Sequence, residues 1–93
     1  MAGRLAGKVA IVTGGASGIG ESACRMFARE GVRGLLLADI RDAAGRAIEA
    51  ELRAGGADVL FMHLDVSREP EWMEAMRTVA ERWGRLDILV NNA

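Results

Sequence analysis

The stretch KVAIVTGGASGIG, residues 8–20, joins a short apolar segment to a loop that is rich in glycine. The segment KVAIV, residues 8–12, is uninterrupted and partly β-branched, which is typical of a strand buried on both faces. Gly31 stands where a helix after the loop would commonly end. Between the loop and Gly31, apolar residues recur at helical spacing, at Ile19, Ala23, Met26 and Phe27. The stretch therefore predicts a strand, a glycine-rich turn and an amphipathic helix.

The glycine-rich loop has the chemistry of a phosphate-binding turn. In a parallel α/β sheet, the loop after the first strand lies at the carboxyl end of the strands, where ligands bind. The helix that follows begins with unpaired N–H groups and a partial positive charge, which together favour an anion. Side chains at Gly14, Gly18 or Gly20 would obstruct the turn, the approach of a diphosphate, or the packing of the helix on the strand.

The spacing of these glycines differs from the common G-x-G-x-x-G pattern. The spacing that follows the strand directly is Gly14-x-x-x-Gly18-x-Gly20. A G-x-G-x-x-A pattern also exists, but it begins at Gly18, five residues after Thr13, which is too late for a tight turn. Because many turns between a strand and a helix contain glycine, the loop by itself leaves a dinucleotide site and an ordinary turn as alternatives.

Three more apolar segments alternate with two more helical segments along the chain. A second helix is predicted from Arg41 to Ala54. A third begins near Ser67, whose hydroxyl suits an N-cap, with Pro70 in its first turn and Gly84 at its end. The further strands are predicted at GLLLAD (34–39), DVLFMHLD (58–65) and LDILVNNA (86–93). This alternation predicts an α/β fold of the Rossmann type, with a parallel sheet and helices on its faces.

The second and third helices each carry one apolar face. In the second helix the residues expected to be buried are Ala44, Ala47, Ile48 and Leu52. In the third helix they are Trp72, Met76, Val79 or Ala80, and Trp83. Cys24, next to Ala23 on the first helix, is expected to be a small packed residue. His63 is expected to be structural or exposed to solvent, because one His and one Cys are too few for a metal site.

An acidic residue ends the second predicted strand. Asp39 follows Gly20 by 19 residues, and a carboxylate at this point can accept both ribose hydroxyls of an adenosine through charge-assisted hydrogen bonds. The carboxylate would repel a 2′-phosphate, so it favours NAD over NADP. Two alternatives stay open: Asp39 is a capping or solvated aspartate, or Arg41 pairs with a 2′-phosphate.

Composition limits the classes of partner. The chain has 93 residues, so a single small domain is expected, and its net charge is −1 with no basic block. We therefore expect neither a nucleic-acid partner nor a membrane surface. No apolar run approaches the length of a membrane span, and the first residues, MAGRLAGK, lack the apolar stretch of a signal peptide. With a single cysteine, a soluble protein of the cytoplasm is expected.

The chain resembles the short-chain dehydrogenase/reductase family. The motifs that carry the resemblance occur in order and at the expected intervals, and cover essentially the whole chain: TGGASGIG at 13–20, Asp39, the pair Asp65 and Val66, and NNA at 91–93. The resemblance implies a sheet of order 3-2-1-4 and makes residues 1–93 the N-terminal part of a single NAD(P)-binding Rossmann domain. It implies an oxidoreductase that transfers a hydride between an alcohol or ketone and the cofactor, NAD rather than NADP.

The resemblance also implies roles for individual residues. The diphosphate and the nicotinamide side would be lined by Gly14, Ser17, Gly18, Ile19 and Gly20. The adenosine would be bound by Asp39 at its ribose, with Ile40 against the adenine, Asp65 accepting from the adenine amino group and Val66 packing beside it. The ribose would be bordered, and the centre of the sheet braced, by Asn91, Asn92 and Ala93. Thr13 would tie the end of the first strand to the fourth.

The catalytic groups of that family have no counterpart here. The family uses a tyrosine whose pKa is lowered by a lysine four positions later, together with a serine and an asparagine. This sequence contains no Tyr, and its one Lys is Lys8, before the first strand. No residue is therefore assigned as catalytic, and the chain is expected to be the front part of a dehydrogenase.

Two alternatives are a non-catalytic truncated product, which binds nucleotide weakly or binds a partner protein, and a methyltransferase with an adenosyl cofactor. The TGxxxGIG spacing and the NNA motif count against the methyltransferase.

The fourth predicted strand affects how stable and how soluble the 93-residue chain would be by itself. If LDILV forms the edge of the sheet, its unpaired N–H and C=O groups invite pairing with another chain. Apolar surface beside it would also be left uncovered. The 93-residue chain by itself is therefore expected to be marginally stable or prone to aggregate, and to form oligomers of the family type only with further residues.

Overall fold

Four parallel strands form the sheet in the computed structural model, which describes residues 3–92. The strands are β1 Val9–Thr13, β2 Gly34–Asp39, β3 Val59–His63 and β4 Ile88–Asn91, and the helices between them are α1 Gly18–Arg29, α2 Asp42–Ala54 and α3 Glu69–Trp83. The order of the strands is β3-β2-β1-β4. The α/β fold of the Rossmann type and the strand order are thus confirmed, while β3 is shorter than the predicted 58–65.

The two central strands are buried along their whole length because helices cover both faces of the sheet. On one face, Phe27 of α1 and Ile48 of α2 pack against alternate residues of the strands, among them Val12 and Leu37. On the other face, Val79 of α3 packs against the residues between them. The uninterrupted apolar sequences of β1 and β2 follow from this two-sided cover.

The first turn of helix α1 lies beyond the carboxyl edge of the sheet. Ile19, which periodicity assigned to the buried face, is 76% exposed. The helix begins at Gly18, beyond the carboxyl end of β1, and Gly20 in its first turn lies against the Gly14 carbonyl of the loop. Further along, Cys24 and Phe27 are buried, as expected for Cys24 from its small side chain. Ile19 is therefore left free at the edge of the sheet.

Helix α2 is rotated toward the outer strand relative to the predicted apolar face. Ala47 is exposed, whereas Gly45 and Glu49 are buried. A side chain at Gly45 would lie 2.1 Å from the ring of Phe61, so glycine lets that ring pack directly on the helix. The carboxylate of Glu49 accepts the backbone N–H of Phe61 at 2.7 Å. Contacts with β3 set the orientation of this helix. The apolar periodicity of α2 does not reveal these contacts.

Helix α3 also differs from its sequence prediction. Its buried residues are Ala75, Val79 and Trp83. Met76 is 40% exposed and Trp72 is half-buried, because the sheet meets the helix face centred on Ala75. The indole of Trp83 fills the space over β2 that a side chain at position 34 would occupy, since a Cβ on Gly34 would lie 2.2 Å from it.

The start of α3 corrects the predicted N-cap. The N-cap position is Arg68, not Ser67, and Pro70 lies in the first turn as predicted. The hydroxyl of Ser67 donates to Asp65 Oδ1 at 2.7 Å, and α3 begins at Glu69, one residue later than an N-cap at Ser67 would require. Gly84 ends the helix in the left-handed conformation, with φ of 75°.

A candidate dinucleotide site at the carboxyl edge of the sheet

The carboxyl ends of the four strands bring the residues singled out by the sequence to one edge of the sheet. β1 leads into the loop at 14–17, β2 ends at Asp39, β3 leads to Asp65, and β4 ends at Asn91. All four strands are parallel, so these positions are neighbours in space although they lie far apart in sequence. Ala93 lies outside the described residues.

The glycine loop combines one open position with one crowded position. Gly18 has φ of 56°, and a Cβ built on it would have no atom within 4 Å. A Cβ on Gly20 would lie 2.0 Å from the carbonyl oxygen of Gly14 and 2.9 Å from Asn92 Nδ2. Glycine is therefore required at position 20 by the close approach of α1 to the loop, and at position 18 by the backbone conformation.

The first turn of α1 presents backbone donors at this edge. Its N-cap residue, Ser17, makes no side-chain capping hydrogen bond within residues 3–92. The first N–H groups of a helix have no partner inside the helix and carry a partial positive charge. Together with the open space beside Gly18, this turn has the form of a cradle for an anion such as a diphosphate.

Asp39 is buried, and its carboxylate organises the loops on both sides of it. The residue is 7% exposed. Its Oδ2 accepts the backbone N–H of Ala16 at 2.9 Å, and its Oδ1 accepts that of Arg41 at 2.9 Å. The sequence identified Asp39 but not Ala16, because a backbone N–H leaves no signal in the residue types. Asp39 thus fixes the glycine loop to the end of β2.

Ile40 and Arg41 form the whole connection between β2 and α2, and both are exposed. Ile40 is 61% exposed, so its apolar side chain is open to a ligand at this edge. Its position beside Asp39 is the one predicted for a contact with a planar ring. Arg41 is held near Asp39 through its backbone.

Asp65 is held by the turn that follows β3. Its Oδ1 accepts the backbone N–H of Ser67 at 3.0 Å as well as the Ser67 hydroxyl. These hydrogen bonds from Ser67, with the nearby Arg68, lower the pKa of Asp65 below its ordinary value, so the carboxylate is ionised at neutral pH. Its own backbone N–H donates to Glu71 Oε1 at 2.7 Å, a contact that the sequence did not indicate. Val66 is half-buried beside it.

Thr13 joins the ends of β1 and β4, as the sequence predicted. Its hydroxyl oxygen lies 3.0 Å from Asn91 Oδ1 and accepts the backbone N–H of Asn92 at 2.9 Å. The amide of Asn92 in turn donates to the carbonyl oxygen of Gly14 at 3.4 Å. Asn92 therefore braces the glycine loop from the side of β4, while Asn91 contacts the end of β1.

His63 has a partner that was not foreseen. It is exposed, as one of the predicted alternatives had it, but its Nδ1 lies 2.6 Å from Asp42 Oδ1 at the start of α2. The spacing of 21 residues between the two gives no signal in the sequence. Only the register of β3 beside β2 brings them together.

Metal-binding clusters and membrane-spanning helices are both absent from residues 3–92. Within this range no group of three or more His, Cys, Asp or Glu side chains is arranged to hold a metal ion. Nor does this part of the chain contain a helix with the length and apolar character needed to cross a bilayer.

Comparison with known proteins agrees with this geometry. A family model described as short chain dehydrogenase matches residues 8–93. The 2,5-dichloro-2,5-cyclohexadiene-1,4-diol dehydrogenase LinX of Sphingobium indicum is 43% identical over 93 residues, which are 100% of this chain and 37% of that protein. The 3-beta-hydroxysteroid dehydrogenase of Comamonas testosteroni is 45% identical over 93 residues, which are 100% of this chain and 35% of that protein.

Among solved structures, a short chain dehydrogenase/reductase from Burkholderia phymatum in complex with NAD superposes with a TM-score of 0.88 at 33% identity. The match covers 91% of this chain and 30% of that one. The chain thus spans about a third of the length of the relatives it matches. On the family match and the identity to these relatives, the chain belongs to the short-chain dehydrogenase family.

Proposed function

We propose that residues 1–93 are the N-terminal, cofactor-binding part of a single Rossmann domain in an NAD-dependent oxidoreductase that acts on an alcohol or ketone. The observation that carries the proposal is the buried Asp39 carboxylate, which lies beside an open glycine loop and the uncapped start of a helix. Membership of the short-chain dehydrogenase family and the likeness to a structure in complex with NAD support it. The bound cofactor would supply or accept the hydride.

In this proposal the diphosphate lies on the first turn of α1. The backbone N–H groups from Ser17 to Gly20 donate to its oxygens, and the helix dipole adds a favourable field. The open space at Gly18 supports this placement, since a side chain there would meet the ligand rather than the protein. The exposed Ile19 would cover the nicotinamide side, which accounts for an apolar residue left in solvent. Gly14 would line the loop opposite Gly20.

The ribose of the adenosine would be bound by Asp39. Each oxygen of the carboxylate already accepts one backbone N–H, and a carboxylate has about four acceptor positions. Two positions therefore remain for the ribose hydroxyls. A 2′-phosphate would bring negative charge to a buried carboxylate, which favours NAD over NADP. Asn91, Asn92 and Ala93 would border the same ribose.

The adenine would lie between β2 and β3. Ile40 offers an apolar surface to one face of the ring, and Val66 packs at its side. The Oδ1 of Asp65 already accepts two hydrogen bonds from Ser67, so in this proposal its Oδ2 would accept from the adenine amino group. Because the pKa of Asp65 is lowered, the residue is a charged acceptor at neutral pH.

The proposal assigns no proton-transfer group within these 93 residues. The sequence contains no Tyr, and no side chain within it is proposed as catalytic. The contribution of this part is to bind and orient the cofactor at the carboxyl edge of the sheet.

The proposal is tested by calorimetric titration of the protein, expressed from its natural reading frame, with NAD and separately with NADP. We expect saturable binding of one dinucleotide per chain, with NAD bound more tightly. The absence of saturable binding for both dinucleotides would overturn the proposed function. Tighter binding of NADP would overturn the assignment of NAD and point to Arg41 as the residue that selects the cofactor.

A further inference from the structure

The connection between β2 and α2 is only two residues long and is tethered at both of its ends. At the first end, the N–H of Arg41 donates to Asp39 Oδ1 at 2.9 Å. At the second end, Asp42, the first residue of α2, lies 2.6 Å from His63 through Oδ1 and Nδ1. Ile40 projects into solvent between the two tethers. The orientation of Ile40 therefore depends on both contacts.

The register of the sheet explains how His63 reaches α2. His63 is the last residue of β3 and is the register partner of Asp39 on β2. From this position the imidazole extends to the start of α2, so that the end of β3 and the start of the helix are joined across the carboxyl edge. His63 thus contacts the first residue of α2, directly after the two-residue connection.

The charged groups around His63 are mainly carboxylates. They come from four places: Asp42 on α2, Asp65 after β3, Glu71 on α3 and, in register on β2, Asp39. The cations nearby are Arg41, and Arg68, which pairs with Glu71. The hydrogen bond with Asp42 is the main reason why the pKa of His63 is raised above its ordinary 6.5, and the charges of Asp42, Glu71 and Asp65 add to it.

We propose that His63 is a positioning residue for the adenosine half of the cofactor: its imidazolium holds Asp42, and through it the Ile40–Arg41 connection, in the conformation that binds adenine and ribose. This inference rests on the proposed function. A protonated His63 donates a charge-assisted hydrogen bond to Asp42, whereas the neutral ring donates a weaker one. The imidazolium also offsets the negative charge of Asp42 beside an anionic ligand.

The direction of the pH dependence follows from the raised pKa. The pair is fully formed below the ordinary pKa of 6.5 and is lost as the pH rises through the raised value in the folded protein. Affinity for NAD is therefore higher on the acidic side and lower on the alkaline side. By linkage, saturation with NAD raises the pKa of His63 further.

The experiment titrates NAD into the protein from its natural reading frame at a series of pH values from about 5.5 to about 9, which brackets the titration of histidine. It compares the wild type with His63→Gln, His63→Lys and Asp42→Asn. Arg77→Gln is the matched control, because it removes an exposed ion pair with Glu74 on α3, away from the connection. The thermal midpoint of each variant is measured at each pH, so that loss of folding is detected separately from loss of affinity.

For the wild type we expect the Kd of NAD to rise about two- to fivefold across this range, since exposed ion pairs are weak. His63→Gln and Asp42→Asn are expected to bind NAD, at every pH, with the weaker affinity that the wild type shows at alkaline pH. His63→Lys, which stays charged, keeps the tighter affinity throughout, and Arg77→Gln follows the wild type. In NMR titrations, the imidazole signal of His63 is identified by its absence from His63→Gln. We expect the pKa of His63 measured from this signal to be higher with NAD bound.

Each contrary outcome is separately informative. An identical pH dependence in the wild type and His63→Gln, or an unchanged His63 pKa with NAD bound, overturns the inference and leaves the proposed function intact. If the wild type fails to bind NAD at every pH, the proposed function itself is overturned, and this inference with it.

Discussion

The carboxylate of Asp39 accepts the backbone N–H of Ala16 at 2.9 Å, and this contact is buried. It joins the end of β2 to the middle of the glycine loop, 23 residues earlier in the chain. The same carboxylate is the group proposed to accept the ribose hydroxyls. Under the proposed function, loop geometry and recognition of the ribose both depend on one side chain.

Replacement of Asp39 by Asn removes the charge and also turns an amide NH2 group toward one of the two backbone N–H groups, of Ala16 or Arg41, that the carboxylate accepts. The amide keeps the shape and one acceptor oxygen but loses the charge, so we expect the Kd of NAD to rise about tenfold or more. The ratio of NADP affinity to NAD affinity rises, because repulsion of the 2′-phosphate is removed. The control is Asp87→Asn, since Asp87 also accepts a backbone N–H, that of Val9 at 2.8 Å, at the opposite end of the sheet. Equal losses of affinity in both variants would contradict the assignment.

Gly20→Ala is expected to abolish binding of the dinucleotide and to destabilise the fold. The added Cβ would lie 2.0 Å from the carbonyl oxygen of Gly14, so α1 or the loop must shift. Overpacking of this kind costs about 1–3 kcal/mol. Gly56→Ala is the control, because Gly56 has φ of 99° with open space around it and lies after α2, far from the site. Urea unfolding and NAD titration are measured for both, and Gly56→Ala should lose stability while keeping its affinity.

Cys24 is expected to be unreactive in the folded protein. Burial is the main reason that its pKa is raised to about 12, with a further contribution from the charge of Glu21. The thiolate fraction at pH 8 is then about a thousandfold lower than for a free cysteine with its ordinary pKa of 9.0. Alkylation by iodoacetamide should be slow in the native protein and fast in urea. Rapid native alkylation would show that α1 opens locally.

The contact between Glu49 and Phe61 is expected to stabilise the outer strand of the sheet. Glu49 accepts the Phe61 N–H at 2.7 Å on the side of β3 that has no neighbouring strand within residues 3–92. Glu49→Ala leaves this N–H without its charged partner, and we expect the free energy of unfolding to fall by about 1–2 kcal/mol. Glu81→Ala, on the exposed side of α3, should leave it unchanged. In hydrogen exchange, the Phe61 amide alone should lose protection markedly in Glu49→Ala.

β4 is the other edge of the described sheet, and it is expected to make the 93-residue chain associate. β4 pairs with β1 alone among the strands of residues 3–92, and Leu89 is 47% exposed. Exposed strand edges with apolar side chains pair with other chains. Light scattering of the 93-residue polypeptide at micromolar concentration should show oligomers, which Leu89→Lys reduces and Leu89→Met does not. A monomer with a cooperative melting transition would contradict this expectation.

Much of the site could be predicted from residue types because their chemistry is local. The proposed roles of the loop glycines and of the acid at the end of β2 depend on their position relative to a strand end, and strand ends are visible in the sequence. Ile19 shows the limit of this approach. Helical periodicity assigns it to the buried face, but periodicity does not show where the sheet stops beneath the helix.

The contacts that hold the site together could not be predicted in the same way. Ser67 has the residue type of an N-cap, yet its hydroxyl binds Asp65, and α3 begins at Glu69. An N-cap hydroxyl accepts a backbone N–H of the helix, and whether a hydroxyl lies close enough to do so depends on distances that the chain acquires on folding. The pair of His63 and Asp42 arises in the same way, from strand register.

The sequence by itself determined the alternation of strands and helices, the loop at the carboxyl edge and the carboxylate at the end of β2. These features follow from apolar periodicity and from backbone requirements that glycine alone satisfies. Only the tertiary structure decided which helix faces are buried, which N–H groups Asp39 accepts and where His63 finds its partner. The reason is that hydrogen bonds and packing depend on atomic separations of a few ångströms, and the register between strands fixes those separations.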